Sequence, residues 1–440
     1  MNSPSRRPDV RRAGSPTVVV VIGTFDTKAE ELGVLADEIE AQGATAVLMD
    51  TSARLTERPS ADVIARRTFI DQEQVAAAAG STSAAISALP RGEAVSALRA
   101  GVTALLERMV AERSVDGAVC MGGAGTHIAG PAFQRLPLGF PKLIISPLAS
   151  GGRTFEAYVG IKDVAVLHSV ADIIGVNSVT SGVYRSAAGY IVGAARHVGA
   201  EPPWAERTSP TIAASMNGNT TPALMRGRER LEAAGYSFVA FHANGVGGRA
   251  LEDAVASGKV DIVLDFTTTE LAGHLVGGLM DPGPERMETA GRRGVRQVLV
   301  PGCLDFITCG RLEDAEQEFP GRVYFGHNPE LTLVRLTRDE AATLGKEFAR
   351  KANLATGPVT VYVPTGGLSI PDAPGGPFWD PEADTAFLDD LREGLQPQVE
   401  LITLPWHIND PRFIDRIVDD LLVGSGAADG AARPCDAVTT

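Results

Sequence analysis

Aromatic residues are scarce in this sequence, at 5% of its 440 residues. Proteins that bind single-stranded nucleic acid stack the bases on aromatic side chains, so this scarcity argues against such a function. Basic residues are outnumbered by acidic ones, 40 to 54, which gives a net charge of −14. A surface of that charge repels phosphate backbones and anionic lipids, so we expect neither DNA nor a membrane among the partners.

Metal-binding and disulfide patterns are also missing. The seven histidines and four cysteines form neither a CxxC nor an HExxH spacing, so a zinc site has little support. Cys303 and Cys309 are interpreted as small apolar fillers. The chain start lacks the apolar region of a signal peptide, and no apolar stretch approaches the roughly 20 residues of a membrane span. These absences predict a cytoplasmic protein.

Three catalytic or nucleotide-binding motifs are absent. Without GxxxxGK[ST], a P-loop ATPase is excluded at the level of motifs, and without GxGxxG a nicotinamide dehydrogenase is the least favoured hypothesis. The absence of GxSxG removes support for a serine hydrolase.

What the sequence does contain is an alternation of buried strands and amphipathic helices. Val18–Ile22 is a continuous β-branched run of the kind found in parallel sheets, and a helix follows it up to Gly43. Residues 54–90 are expected to be irregular or helical and to lie at the edge of the sheet. The same rhythm restarts near residue 210. The pattern predicts an α/β protein with two Rossmann-like doubly wound domains and mostly parallel sheets.

The length and composition suggest how the chain is divided. At 440 residues two domains are expected, and a proline-rich stretch near residue 200 is typical of a linker. We predict, in chain order, a disordered N-terminus (1–15), a nucleotide-binding domain (16–200), a linker (201–209), a second domain (210–424) and a disordered tail (425–440).

Glycine-rich loops after strands are the candidate ligand sites of the first domain, because open α/β sheets bind ligands where strands end. The first loop is Gly23–Lys28. Its glycine would let a ligand approach the backbone closely, its threonine hydroxyls could donate hydrogen bonds, and the charge of its lysine suits a phosphate. An ordinary capped helix is the alternative, and Asp26 is read either as a cap or as a magnesium ligand. The candidate cofactor-binding residues are Gly23, Thr24, Phe25, Asp26, Thr27, Lys28, Asp50, Gly122, Gly123, Gly125, Thr126, Ser150 and Gly151. Turns and helix caps explain several of them equally well.

The second domain has two polar strand ends. His242 and Glu270 are the candidate acid–base pair, although a single histidine is often structural. The residues assigned to substrate binding are Asn244, Gly245, Gly247, Gly248, Asp265, Thr267, Thr268 and Thr269. His407 and Asp410 are left open, between ligand contact and helix capping.

Several of these loops together resemble a known family. GTFDTKAEEL, GGAGTHI, FHANGVGGRALE, LDFTTTE, HNPELTLVR and HINDP occur in the order found in the Tm-one-like ATP-binding family, over roughly Pro16 to Gly424. The resemblance implies a pair of Rossmann-like domains, ATP binding in the first, and a homodimer or higher homo-oligomer. Thr126 and His127 depart from the family's usual second glycine loop.

Two functions remain open from these residues. The first is an enzyme that uses ATP with Mg²⁺, or acts on a phosphorylated or carboxylated small molecule, in a cleft between the two domains. Lys28 and the glycine loops would then hold phosphates, and Asp26 would hold the metal. The second is a nucleotide-binding regulatory or interaction protein without turnover. The second small molecule is not identified by the sequence.

Overall fold

The computed structural model describes residues 16–54, 59–64, 66–123, 125–149, 156–198 and 209–425. The chain divides into two compact units, Met1–Ala205 and Glu206–Thr440. Most of the predicted linker (201–209) and of the predicted disordered ends lies outside the described residues.

The first unit alternates strands and helices along the chain. Its elements are β1 (Val18–Gly23), α1 (Phe25–Ala41), β2 (Thr45–Asp50), α2 (Ala61–Ile64), β3 (Thr68–Ile70), α3 (Gln72–Ala78), α4 (Ser83–Ser87), α5 (Arg91–Ala111), β4 (Gly117–Met121), α6 (Thr126–Phe133), β5 (Lys142–Ser146), α7 (Glu156–Val159), β6 (Ala165–His168) and α8 (Ser178–Val198).

The described strands of the first unit form one parallel sheet in the order β3-β2-β1-β4-β5-β6. The chain therefore winds outward from β1 to β3, returns to the centre, and winds the other way from β4 to β6. This is the strand order of a dinucleotide-binding fold, whose topological switch point lies between β1 and β4.

Both faces of this sheet are covered, because alternate residues of a strand point to opposite faces. In β1, Val20 and Ile22 join the core cluster that includes residues of α5 and α6. Val19 and Val21 join the cluster on the opposite face, which includes residues of α1 and α8. Each fully buried valine or isoleucine stabilises the fold by about 1.5–3 kcal/mol. The continuous apolar run in the sequence is thus explained by burial on both faces.

The second unit has a longer list of elements. They are β7 (Thr211–Met216), α9 (Thr221–Ala233), β8 (Ser237–His242), α10 (Val246–Ala256), β9 (Ile262–Thr267), α11 (Glu270–Leu275), α12 (Thr289–Arg292), β10 (Arg296–Gly302), β11 (Phe306–Cys309), α13 (Leu312–Glu318), β12 (Tyr324–Asn328), β13 (Leu331–Arg335), α14 (Arg338–Ala352), β14 (Val359–Pro364), α15 (Pro381–Gly394), β15 (Glu400–Leu404) and α16 (Pro411–Ser425).

The larger sheet of the second unit is also parallel, in the order β15-β14-β10-β9-β7-β8. Its switch point lies between β7 and β9, as in flavodoxin-like folds. The prediction of two doubly wound α/β domains is therefore confirmed, although the two strand orders differ.

A small antiparallel sheet, in the order β11-β13-β12, accompanies the larger one in the second unit. Its residues Ile307 and Val334 belong to the same core cluster as α14 and α15. None of the helices in the described ranges combines the length and apolarity needed to cross a lipid bilayer.

Candidate functional site

Two glycine-rich loops begin at the switch point of the first unit. Gly23–Lys28 spans the end of β1 and the first turn of α1, and Gly122–Thr126 joins β4 to α6. Strands β1 and β4 are neighbours in the sheet. The loops touch, since a Cβ atom on Gly125 would lie 3.3 Å from the Cγ2 atom of Thr24. The structure therefore brings together the two loops that were predicted separately as ligand sites.

The first loop presents a polar surface. The hydroxyl oxygens of Thr24 and Thr27 are 3.2 Å apart, and the Thr27 hydroxyl donates to Oδ1 of Asp26 over 3.2 Å. Asp26 and Thr27 are exposed, whereas Phe25 is buried and packs edge-on against Phe69. Phe25 thus anchors the loop to the core, while its neighbours face solvent.

The beginning of α1 is capped by the next strand end. Oδ1 of Asp50 accepts hydrogen bonds from the Phe25 amide (3.3 Å) and from the Ser52 amide (2.9 Å) and hydroxyl (2.5 Å). The hydroxyl oxygen of Ser52 in turn accepts a hydrogen bond from the Asp26 amide over 3.0 Å. Burial raises the pKa of Asp50, and the hydrogen bonds from Ser52 oppose that shift. The first two N–H groups of α1 are therefore already occupied by side chains of the protein.

Lys28 lies at a kink in α1, where its φ of −137° is not helical. Its ammonium group donates to the carbonyl oxygen of Ile173. Because an ammonium group has three N–H donors, that single contact leaves two for other acceptors.

The second loop has free space around Gly123 and no described side-chain cap at its helix, whereas the helix after the first loop is capped. Gly122 has φ +154°, and no atom of the described residues would lie within 4 Å of a Cβ on Gly123. Gly125 precedes α6, and no described side chain caps that helix. The Thr126 hydroxyl donates to the Gly123 carbonyl over 2.6 Å and holds the turn. Ser150 and Gly151 lie outside the described residues.

His127 follows this loop in the first turn of α6. Its ring lies 2.5 Å from the Tyr158 hydroxyl, measured to Nδ1, and its carbonyl accepts from Arg99. Burial raises the pKa of Tyr158. These contacts fix His127 at the start of α6.

The predicted residues of the second unit gather around a buried arginine. Arg286 donates to Asp265 (Nη2–Oδ1, 2.6 Å) and to Glu270 (Nε–Oε2, 2.7 Å), and its side chain is 0% exposed. Oε1 of Glu270 also accepts from the amides of Gly245 (2.5 Å) and Gly248 (3.0 Å). Burial acts to lower the pKa of Arg286. The carboxylates around the guanidinium outweigh that effect and hold the pKa well above its usual value.

The glycines of this region allow the chain to pack against itself. A Cβ on Gly247 would lie 1.8 Å from the His242 carbonyl oxygen, and one on Gly248 would lie 2.2 Å from Oε2 of Glu270. Gly245 has φ +86°, which favours glycine. His242 itself is exposed at the end of an edge strand. Its assignment with Glu270 as an acid–base pair stays a prediction.

Threonines of the predicted substrate loop are likewise engaged within the fold. The Thr267 and Thr220 hydroxyl oxygens are 2.7 Å apart, and the hydroxyls of Thr268 and Thr269 donate to backbone carbonyls. Asn244 accepts from the Gly247 amide through Oδ1 over 3.0 Å. These contacts join the strand ends at the switch point of the second unit.

The turn that contains His407 has structural contacts as well. Nε2 of His407 lies 2.8 Å from the Ser369 carbonyl oxygen, while Nδ1 accepts from the Asn409 amide over 3.1 Å. This arrangement suits a neutral ring protonated at Nε2. Asp410 accepts from Arg412, which lowers the pKa of Asp410 to about 2.

The three described cysteines are free and buried. Burial raises the pKa of Cys120 to about 12 and that of Cys309 to about 11. Burial also raises the pKa of Cys303 well above its usual range. Neutral thiols of this kind are poor nucleophiles, which agrees with their interpretation as apolar fillers.

Sequence reasoning missed a carboxylate cluster in the second unit, formed by Asp305, Asp372 and Asp384 around Arg335. These residues are far apart in the sequence, and only Asp305 lies close to the end of a strand of the larger sheet. The signal available in the sequence was Asp305, an aspartate in an apolar stretch with no basic residue beside it to pair with its charge.

Nearly the whole length of the chain matches two domains of one protein family. Residues 17–200 match the N-terminal domain, and residues 209–423 the C-terminal domain, of the "Uncharacterised protein family (UPF0261)". A "UPF0261 protein" of Clostridium tetani is 36% identical over 402 residues, covering 90% of this chain and 96% of the relative.

A plant relative supports the resemblance seen in the sequence. The "ToMV resistance protein Tm-1(GCR237)" of Solanum lycopersicum is 34% identical over 437 residues, which cover 93% of this chain and 56% of the tomato protein. Among solved structures, the MurG protein of Acinetobacter baumannii is similar at a TM-score of 0.25 with 12% identity, over 93% of this chain and 100% of that one.

Proposed function

The chain belongs to the uncharacterised protein family UPF0261, and we propose that its first unit binds ATP, or a similar nucleotide, at the switch point between β1 and β4. The observation that carries this proposal is the contact between the two glycine loops at that point. In open α/β sheets, the switch point is where the strand ends and helix N-termini leave a crevice for a ligand.

The phosphates are assigned to the second loop rather than to the first. At α1, the amides of Phe25 and Asp26 already donate to Asp50 and Ser52. At α6, the start of the helix has no described side-chain cap, and the space above Gly123 is free of described atoms. The amides of Thr126 and Ile128 donate to the backbone carbonyls of Gly123 and Gly125. This helix start therefore attracts an anion chiefly through the positive end of the helix dipole.

Lys28 and Asp26 are assigned supporting roles at the edge of the first loop. Lys28 is half-exposed and retains N–H donors for a phosphate. Asp26 is exposed and suits Mg²⁺, which would neutralise phosphate charge when bound. The described residues contain no group of three or more metal-binding side chains, so water and phosphate oxygens must supply the other ligands.

The proposal concerns binding, and turnover is a separate question. Both oxygens of Glu270 already accept hydrogen bonds, from Arg286 and from two backbone amides. These contacts favour a structural role for Glu270 over that of a mobile base. A hydrolysis assay separates ATP binding without turnover from an ATP-dependent enzyme.

We further propose that the protein acts in the cytoplasm as a homodimer. The free, buried thiols are compatible with a reducing compartment. The dimer is inferred from the family resemblance alone. Light scattering after size-exclusion chromatography measures the oligomeric state directly, and a monomeric mass would remove this part of the proposal.

Ligand-induced thermal stabilisation tests the binding site. At about 100 times Kd, ATP with Mg²⁺ stabilises the binding unit by about 2.7 kcal/mol and raises its Tm by several degrees. We expect no such shift with NAD. Gly123→Val fills the proposed phosphate space and abolishes the ATP shift, whereas Gly193→Val, at an open position on α8, retains it. An undiminished shift in the Gly123 variant would reject the site.

A further inference from the structure

Asparagine is followed directly by glycine at two places in the sequence, Asn217 with Gly218 and Asn244 with Gly245. Glycine in this position favours deamidation of the asparagine, because it has no side chain to obstruct its own nitrogen. The two pairs follow β7 and β8, which are neighbours in the larger sheet of the second unit. The pairs are thus alike in sequence, and their surroundings decide which of them reacts.

Deamidation requires a free glycine nitrogen and an accessible asparagine amide. The Gly218 nitrogen attacks Cγ of Asn217 and passes its proton, through solvent, to the departing nitrogen. The Cγ–Nδ2 bond breaks, ammonia leaves and a succinimide ring closes. Water then opens the ring at either carbonyl and yields aspartate or isoaspartate. The balance is one water consumed for one ammonia released, with no change of oxidation state.

The first pair has the surroundings that this reaction requires. Gly218 is exposed, and its amide donates to no acceptor in the described part of the chain. Oδ1 of Asn217 accepts from the Asn219 amide (2.9 Å) and from the Cys303 thiol (3.5 Å), whereas its Nδ2 donates to none of the described groups. Two donors on Oδ1 polarise the carbonyl and stabilise the oxyanion that forms when Cγ is attacked.

The second pair is protected through its glycine. The Gly245 amide donates to Oε1 of Glu270 over 2.5 Å, so the nitrogen that would attack is held by a carboxylate. Gly245 is also buried, and a Cβ at this position would lie 2.9 Å from the Asp281 carbonyl oxygen. Attack on Asn244 must therefore break a charge-assisted hydrogen bond and move a packed loop.

We propose that Asn217 is a site of spontaneous deamidation in the folded protein and that Asn244 is protected from it. The modification lies in the loop after β7, at the switch point of the larger sheet, and replaces a neutral amide with a carboxylate. It involves residues of the second unit and is independent of nucleotide binding by the first.

Deamidation at this position also alters the contacts between strand ends. The Asn217 carbonyl accepts from the Thr220 amide over 3.2 Å, which closes a four-residue turn. Within the turn, Asn219 accepts from Nδ2 of Asn409 (2.7 Å) and from the Ile370 amide (3.3 Å). Isoaspartate adds a methylene group to the main chain, so the turn opens and its contacts with the loops after β14 and β15 weaken.

Peptide mapping by mass spectrometry after incubation at mildly alkaline pH tests the proposal on the full chain. Trypsin separates the two pairs, since Arg230 lies between them. In the folded protein we expect Asn217 to react at least about tenfold faster than Asn244, a ratio that one charge-assisted hydrogen bond accounts for. In urea both pairs lose their contacts, and we expect their rates to become similar.

Glycine variants separate the reaction from general ageing of the protein. Gly218→Ala suppresses the reaction at Asn217, because its methyl group obstructs the nitrogen, and the fold has space for it. Gly193→Ala, at an open position on α8, keeps the wild-type rate. Aged wild type should also show a less stable population in urea unfolding, and aged Gly218→Ala should not. Equal rates at the two pairs in the folded protein, a faster reaction at Asn244, or an intact Asn217 while the unfolded chain reacts would each overturn the proposal.

Discussion

At the scale of the residue, buried charges hold the strand ends of the second unit together. Arg286 is enclosed with Asp265 and Glu270, whose side chains are 2% and 0% exposed. Such an ion cluster is stable only while its charges are paired, because a lone charge in the interior lacks solvation. The cluster also binds the Gly245 and Gly248 amides through Glu270, so it links the loop after β8 to the loop after β9.

Removal of the guanidinium should therefore be costly. We expect Arg286→Met to lower the free energy of unfolding by about 3–5 kcal/mol, because two carboxylates remain buried and unpaired. Arg228→Met removes an exposed ion pair with Glu232 and should cost less than about 0.5 kcal/mol. Urea unfolding followed by the fluorescence of Trp379 and Trp406 measures both. Equal losses in the two variants would contradict this account.

The carboxylate cluster predicts how stability depends on pH. Since the folded pKa of Asp305 is raised, the folded state holds a proton that the unfolded chain has released above about pH 4. Stability must then fall as pH rises from about 4 towards the folded pKa, by up to about 1.4 kcal/mol per unit for each proton.

Asp372 and Arg335 are the neighbouring charges that shift the pKa of Asp305, and Asp305 in turn raises the pKa of Asp384. An amide at position 305 removes one titrating group. We expect Asp305→Asn to flatten the decline in unfolding free energy between pH 5 and pH 8, whereas Asp389→Asn leaves it unchanged. Urea unfolding at a series of pH values gives the slopes. An identical slope in wild type and Asp305→Asn would contradict the assignment.

The sequence predicted which candidate site residues lie at strand ends but not which of their atoms are free. Asp50 was placed at a strand end, where dinucleotide folds bind a ribose. Its actual partners are the Phe25 amide and Ser52, because Ser52 follows it by two residues and folds back onto it. Local turns of this kind depend on side-chain rotamers that spacing does not determine.

At the scale of the element, close helix packing in the first unit depends on one glycine. Gly101 lies in α5 opposite α3, and a Cβ at this position would lie 2.1 Å from the carbonyl oxygen of Val75. A backbone oxygen cannot rotate away as a side chain can. The close approach of α3 and α5 at this point therefore requires that residue 101 lack a side chain.

Two alanine substitutions on α5 test this contact. Gly101→Ala should destabilise the first unit by about 1–3 kcal/mol through overpacking. Gly92→Ala, where no described atom lies within 4 Å, should be neutral or stabilise the helix by up to about 1 kcal/mol. Thermal unfolding followed by circular dichroism measures both changes. A stabilising effect at position 101 would show that the helices can move apart.

The elements that the sequence predicted well are those buried on both faces, such as β1 with its run of valines. The edge strand β3 was not predicted, because Thr68–Ile70 is three residues long and pairs with one neighbour only. The antiparallel strand Tyr324–Asn328 was not predicted either, because His327 and Asn328 are turn-forming residues, although its partner Leu331–Arg335 follows after only two residues. Such strands are determined by pairing rather than by local pattern.

At the scale of the whole molecule, the two units share an architecture but differ in strand order. The first has the order of a dinucleotide-binding fold, and the second that of a flavodoxin-like fold. The alternation of strands and helices predicted both sheets, while strand order requires the crossovers to be known.

A crystal structure of the protein grown with ATP and Mg²⁺ tests the central claim most directly. The account predicts the triphosphate over Gly122–Thr126 at the start of α6, with Mg²⁺ bound between a phosphate oxygen and Asp26. ATP density at any other place on the molecule, or an empty crevice between β1 and β4 at saturating nucleotide, would contradict it.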